Sequence, residues 1–116
     1  MPFQISITHE AELQLRSLPV REQRIVEAAV TTRLRNQPTI PTKAIKRLRI
    51  NPLAEFELRV GDLRVLYNVE VVNAELILLI LGRKKGNSLI VKGEVFHGPQ
   101  SHSPEPAKDG SPRGAE

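Results

Sequence analysis

The stretch FELRVGDLRVLY, residues 56–67, alternates apolar and polar side chains on either side of a Gly61-Asp62 pair. Alternation is the period of a strand with one buried face, and a Gly-Asp pair between two such strands is typical of a tight turn. A two-residue turn at this point places Arg59 directly opposite Arg64. The stretch therefore predicts a β-hairpin with one apolar face and a second face that carries two arginines.

The two opposed arginines require a negative charge nearby. Like charges directly opposite each other destabilise a strand pair by roughly 0.2–1 kcal/mol. Glu57 or Glu70 can supply the anion from within the protein. A phosphate can supply it from outside, because arginine suits bidentate contact with phosphate oxygens. The sequence leaves both sources open.

The segments around the hairpin complete the predicted fold. Alternation over residues 3–7 predicts a strand, and apolar side chains at helical spacing over residues 11–18 and 25–34 predict two helices that meet at Pro19. The continuous apolar run 76–81 predicts a central strand covered on both faces, and a shorter run beyond it adds an edge strand. We expect an α+β fold: one N-terminal strand, a two-helix hairpin, then a three- to four-stranded antiparallel meander with the helices on one face.

Composition bounds how the chain is organised. Its 116 residues make about one domain, and the absence of cysteine excludes disulfides and thiolate metal sites. Residues 98–116 hold four of the nine prolines and almost no apolar side chains, so we expect a domain over residues 1–97 and a disordered tail over 98–116. No basic-then-apolar leader and no apolar run near the roughly 20 residues of a spanning helix is present. We therefore expect a soluble, cytoplasmic protein without a membrane partner.

The charge of the chain is unevenly distributed. It has 17 basic and 13 acidic residues, which gives a net charge of +4. Two basic blocks contain no acid: Arg33, Arg35, Lys43, Lys46, Arg47 and Arg49 form the first, and Arg83, Lys84, Lys85 and Lys92 form the second. Such blocks favour a polyanionic partner. The alternative is that they are solvated faces that keep the protein in solution.

The hairpin resembles that of the RelE/ParE superfamily of toxins, whose members carry the pattern aromatic-x-Leu-Arg-Val-Gly-Asp-x-Arg-Val-x-Tyr. Residues 56–67 follow this pattern closely. The predicted first strand and helices resemble the start of the same fold, and residues 76–83 resemble its last core strand. The resemblance covers roughly residues 3–85.

The resemblance implies the toxin of a type II toxin-antitoxin pair, with a cognate antitoxin protein as its partner. RelE-like members cleave mRNA on the ribosome by attack of a ribose 2'-OH on the adjacent phosphate, without a metal or other cofactor. ParE-like members inhibit DNA gyrase. The leading hypothesis is ribosome-dependent mRNA cleavage by a metal-independent endoribonuclease. The alternatives are a ParE-like gyrase inhibitor and a degenerate member that only binds its antitoxin.

The resemblance also indicates candidate site residues. It implies that Arg64 stabilises the phosphate and that Arg83 is a second phosphate contact. Glutamates stand at positions 55 and 57, where RelE has lysines, and the functional Tyr after the last core strand is missing. A general acid or base must therefore come from elsewhere: from Glu57, from Lys46 or from a histidine, of which His97 is the candidate. The expected RNA contacts are Arg59, Lys43, Lys46, Arg47, Arg49, Lys84 and Lys85.

Overall fold

A computed structural model describes residues 2–96 of the chain. The predicted tail, residues 98–116, and the candidate His97 lie outside the described residues. Residues 2–96 form two helices and seven strands: β1 Gln4–Ile7, α1 His9–Arg16, α2 Val20–Leu34, β2 Ile45–Arg47, β3 Phe56–Val60, β4 Leu63–Glu70, β5 Glu75–Lys85, β6 Ser88–Val91 and β7 Glu94–Phe96. The predicted α+β class and element order are confirmed.

The strands form one mixed sheet. Its antiparallel part runs β2-β3-β4-β5-β6-β7, and β1 is parallel to β5. The sheet is larger than the predicted meander because β2 and β7 have only three residues each, too few to show alternation in the sequence. The hairpin register is as predicted, with Arg59 opposite Arg64 across β3 and β4.

Both predicted helices are present and lie on either side of Pro19. The Thr8 hydroxyl accepts a hydrogen bond from the Ala11 N–H at 3.1 Å and caps α1. Pro19 precedes α2, where a residue without an N–H costs no helical hydrogen bond. Both helices pack on one face of the sheet, which we call the helix face, and they cover a core that includes Val26, Val30 and Leu34.

The opposite face, which carries no helix and which we call the far face, has a smaller apolar cluster of its own. Ala54, Leu66, Ile80 and Leu89 are buried there. The register between β4 and β5 shifts after Leu66, so an extra β5 residue is left without a partner at this bulge. β5 is therefore covered on both faces, as its continuous apolar run predicts.

Strand β5 has two different neighbours along one edge. β1 pairs with it at residues 75–78, and β6 pairs with it at residues 83–85. In the gap between them the N–H of Leu81 donates to Oε1 of Gln14 on α1 at 2.7 Å. A helix side chain thus satisfies a buried backbone donor that no strand reaches.

Candidate nucleic-acid interface

Four charged side chains of the far face surround a small cavity. Lys46 on β2 lies directly opposite Glu57 on β3, with Arg59 two residues further along β3. Lys84 reaches the same place from β5, and Asn87 follows in the turn to β6. These five side chains line a cavity of about 60 Å³. We call this set the far-face cluster.

Glu57 is the buried acid at the centre of the cluster. It is 7% exposed, and it is the one buried acidic residue among those that the structure describes. Its Oε1 accepts a hydrogen bond from Nε of Arg59 at 3.4 Å. A carboxylate removed from water needs opposite charges to offset the lost hydration. At Arg59, then, the anion that the sequence requires comes from within the protein.

Arg64 lies beside the cluster and is held by its own turn. Its Nη1 donates to the carbonyls of Gly61 and Leu63, both at 2.8 Å. Its Nε is buried and has no hydrogen-bond partner within residues 2–96. One donor of the Arg64 guanidinium is therefore left unsatisfied by the described residues.

Arg83 occupies the other face of the sheet. Its Nη1 donates to both carboxylate oxygens of Asp62 at 3.0 Å, and its Nη2 donates to Glu22 on α2. The hydrogen bonds to Glu22 and Asp62 raise the pKa of Arg83 above its usual value. The structure places Arg83 in a clamp that ties the β3–β4 turn to α2, and does not bring it together with Glu57.

Lys84, and not Arg83, is the basic residue of β5 that lies near Glu57 on the far face. Successive side chains of a strand point to opposite faces, and Lys84 has the same phase as Ile80 in the far-face apolar cluster. Its cross-strand partner is Leu89, which belongs to that cluster. The basic side chain of β5 that joins Glu57 is therefore Lys84.

The other predicted RNA contacts divide between several surfaces. Lys43, Lys46, Arg47 and Arg59 line a shallow groove of about 600 Å³ along the edge strand β2. Arg47 also lies over the ring of Phe56, with 5.3 Å between the guanidinium carbon and the ring centroid. Arg49 is exposed in the loop after β2, and Lys85 lines a separate groove between the helices and β6.

Two further sequence interpretations have a structural outcome. Glu55, which stands at one of the lysine positions of RelE, accepts a hydrogen bond from the Val69 N–H at 3.0 Å and is exposed. Tyr67 is fully buried, and its hydroxyl donates to the Pro38 carbonyl at 2.7 Å. Tyr67 is therefore a core residue with a satisfied hydroxyl.

No cluster of three or more metal-ligating side chains occurs within residues 2–96. Over the same residues no helix has both the length and the apolar character that crossing a membrane requires.

Sequence reasoning missed several residues around the site. Asn87 completes the far-face cluster, whereas Glu22 and Asp62 hold Arg83 away from it. Glu22 is forty residues from the turn that it helps to fix, so no local pattern could have paired them. Gln14 had a visible signal, since it is a polar residue within the apolar stripe of α1.

The chain is similar in structure to chains of two solved toxin-antitoxin complexes. The sequence matches no protein-family model, and no curated protein matches it. A chain in the crystal structure of the RelBE2 toxin-antitoxin complex from Mycobacterium tuberculosis is similar, with 24% identity, a TM-score of 0.64, and coverage of 72% of this chain and 93% of that chain. A chain of the archaeal RelE-RelB complex from Pyrococcus horikoshii OT3 gives 24% identity, a TM-score of 0.60, and coverage of 74% and 98%. The chain therefore has the fold of these complexes' chains, as the resemblance of its hairpin predicted.

Proposed function

We propose that this protein is the toxin of a toxin-antitoxin pair and that it cleaves mRNA on the ribosome without a metal. The fold it shares with chains of two such complexes supports the toxin role and a cognate antitoxin partner. The observation that carries the mechanism is a buried carboxylate, Glu57, among Lys46, Arg59 and Lys84 around one cavity. This arrangement offers a proton acceptor and several cations within one small space.

The chemistry follows from these groups. Glu57 takes the proton of a ribose 2'-OH, and the freed oxygen attacks the adjacent phosphorus. The bond from phosphorus to the 5'-oxygen breaks as the new bond forms, which leaves a 2',3'-cyclic phosphate and a 5'-hydroxyl. A lysine ammonium, from Lys84 or Lys46, gives a proton to the departing 5'-oxygen. Every atom of the substrate and both protons are accounted for by groups of this chain.

The arginines stabilise the charge that develops on the phosphate. Cations fixed in advance at the position where negative charge accumulates lower the barrier more than mobile water does. Arg59 orients Glu57 through its Nε and keeps its other nitrogens for phosphate oxygens. Arg64, which lies directly opposite Arg59 across β3 and β4, is the second such group.

The far face and its surroundings supply the wider contact with RNA. The groove along β2, lined by Lys43, Lys46, Arg47 and Arg59, continues from the far-face cluster, because Lys46 and Arg59 belong to both. Phosphate contacts from such lysines and arginines give affinity without reading sequence. An RNA backbone bound along this groove leads to the reacting phosphate in the far-face cluster.

The order in which synthesis stops after induction tests the proposal. The protein is expressed without an antitoxin, and incorporation of labelled methionine and thymidine is followed together. We expect methionine incorporation to fall first and cleaved message to appear only when ribosomes are present. If thymidine incorporation falls first and gyrase-linked DNA breaks accumulate, the proposal is overturned in favour of gyrase inhibition. If neither falls, the chain is an antitoxin-binding member without a toxic activity.

A further inference from the structure

A second basic groove lies on the opposite side of β5 from the far-face cluster. It is about 440 Å³ in volume and runs between the α1–α2 junction and the β5–β6 edge of the sheet. Basic side chains line it, and no carboxylate does: the cations are Arg83, Lys85 and Lys92. The proposed mechanism does not use this groove.

Gln14 supplies hydrogen-bond donors to the groove. It is only 8% exposed, and its side chain lines the groove. Its Oε1 accepts from the Leu81 N–H at 2.7 Å, which fixes the orientation of the amide because a backbone N–H can only donate. The amide nitrogen, with two donors, has no partner among residues 2–96. Because Gln14 lines the groove, these donors are open to an acceptor that binds there.

Two of the cations in the groove carry charge that the described residues do not neutralise. Lys85 and Lys92 are exposed and form no ion pair within residues 2–96, whereas Arg83 is engaged by Glu22 and Asp62. Lys92 has a φ of 53°, in the left-handed region, and Gly93 follows with a φ of 84°. The tight β6–β7 turn thus keeps a lysine at the groove in a conformation that most residues avoid.

We propose that this groove binds a backbone phosphate of single-stranded RNA, an inference that rests on the proposed function. Phosphate oxygens accept hydrogen bonds from an amide and attract ammonium groups, which are the groups that Gln14, Lys85 and Lys92 present. RNA is favoured over an acidic protein segment because the end of β5 carries a cation of the far-face cluster on one face and a cation of the groove on the other. Lys84 and Lys85 are successive residues on opposite faces of β5, so one strand of RNA passing its end contacts both faces.

Binding of an uncleavable RNA separates this groove from the mechanism. The probe is a fluorescent single-stranded oligonucleotide, 2'-O-methylated throughout, titrated by anisotropy at several salt concentrations. We expect the double variant Lys85→Gln/Lys92→Asn to bind roughly tenfold more weakly, with a salt slope smaller by about 0.7 for each phosphate that the variant no longer neutralises. Asn suits the left-handed conformation at residue 92, so folding is preserved. The control Arg21→Gln/Arg24→Gln removes the same charge from two exposed arginines of α2 that do not line the groove, and it leaves binding unchanged.

A second variant tests the amide itself. Gln14→Glu keeps an oxygen to accept from the Leu81 N–H and replaces the donors with a negative charge. We expect it to weaken RNA binding well beyond Gln37→Glu, which adds the same charge on the exposed loop before β2. Thermal unfolding of both variants shows whether the fold is retained.

The outcomes distinguish the groove from the proposed function. If wild-type protein does not bind the RNA, or if both groove variants bind like their controls, the groove proposal is overturned while mRNA cleavage stands on its own test. If the groove variants weaken binding of a polyglutamate peptide and not of RNA, the groove belongs to an acidic protein segment and the proposal is again overturned. If they weaken RNA binding in a protein that stops DNA synthesis first, the groove is retained and the cleavage mechanism fails.

Discussion

Arg83 and Lys84 are neighbours in β5, and the structure uses them in opposite ways. Arg83 lies on the helix face, where two carboxylates neutralise one cation. Lys84 lies on the far face, where three cations share the single carboxylate of Glu57. A cation with an excess of carboxylates stabilises the fold, whereas a carboxylate with an excess of cations leaves positive charge for an anionic ligand. The ratio of charges, rather than residue type, separates a structural clamp from a candidate site.

The β3–β4 turn connects the Arg83 clamp on the helix face to the cations on the far face. The β3–β4 turn is fixed from several directions: the carbonyls of Gly61 and Leu63 accept from Arg64, and the Asp62 carbonyl accepts from the Lys84 N–H at 2.7 Å. The clamp on the Asp62 side chain therefore acts on the backbone that carries two far-face cations. Contacts on the helix face therefore help to hold the turn from which Arg64 extends on the far face.

The largest expected effect is at the carboxylate of the far-face cluster. Glu57→Gln removes the proton acceptor while nearly preserving the shape of the side chain, so we expect ribosome-dependent cleavage to fall by about 10²–10⁴-fold. Glu55→Gln is the matched control, because Glu55 is an exposed glutamate two residues away on the same hairpin. It should cleave at the wild-type rate. Equal rates for Glu57→Gln and wild type would remove Glu57 from the mechanism.

The second effect concerns Arg64. Arg64→Ala removes a cation beside the reacting phosphate, and we expect a loss of about 10²-fold in cleavage and relief of growth arrest. Arg64→Lys keeps the positive charge but lacks the planar pair of donors, so its cleavage rate should fall between those of wild type and Arg64→Ala. Thermal unfolding measures the separate cost of losing the Nη1 bonds to the turn. Undiminished toxicity in a folded Arg64→Ala protein would exclude Arg64 from the site.

A pair of variants on neighbouring residues tests the contrast directly. Arg83→Gln removes the cation that pairs with Glu22 and Asp62. Because these side chains are partly exposed, we expect the free energy of unfolding to fall by about 1 kcal/mol. Lys84→Gln should lower cleavage by about tenfold with little change in that free energy. Denaturant unfolding and cleavage are measured on both proteins. An Arg83→Gln protein that unfolds like wild type would show instead that the clamp does not stabilise the fold.

The sequence predicts strand register only where apolar and polar residues alternate. The hairpin over residues 56–67 alternates cleanly, so its register and the Arg59–Arg64 pair were predicted correctly. The run 76–81 has no polar residue to show its phase, and the bulge opposite Leu66 shifts that phase again. Nothing in the sequence could therefore tell which face receives Arg83. The ion pairs of Arg83 could not be predicted either, because Glu22 lies on α2 and Asp62 in a turn, both far from Arg83 in sequence.

The smallest expected effect concerns a core residue of the helix face. Tyr67→Phe removes the hydroxyl that donates to the Pro38 carbonyl, and we expect a loss of about 1 kcal/mol in the free energy of unfolding at pH 7, with cleavage unchanged. The remaining ring still stacks on Phe56, with 5.4 Å between the ring centroids.

The cost of Tyr67→Phe should depend on pH in a definite direction. Burial raises the pKa of Tyr67 above its ordinary value of 10.0. Above pH 10 the unfolded wild-type chain therefore loses the phenol proton while the folded protein keeps it, and wild-type stability falls by up to about 1.4 kcal/mol per pH unit. Tyr67 is the sole tyrosine, so the variant lacks this loss and its deficit should shrink and then reverse as pH rises past 10. Parallel unfolding curves for the two proteins from pH 7 to pH 11 would show instead that the hydroxyl is open to water.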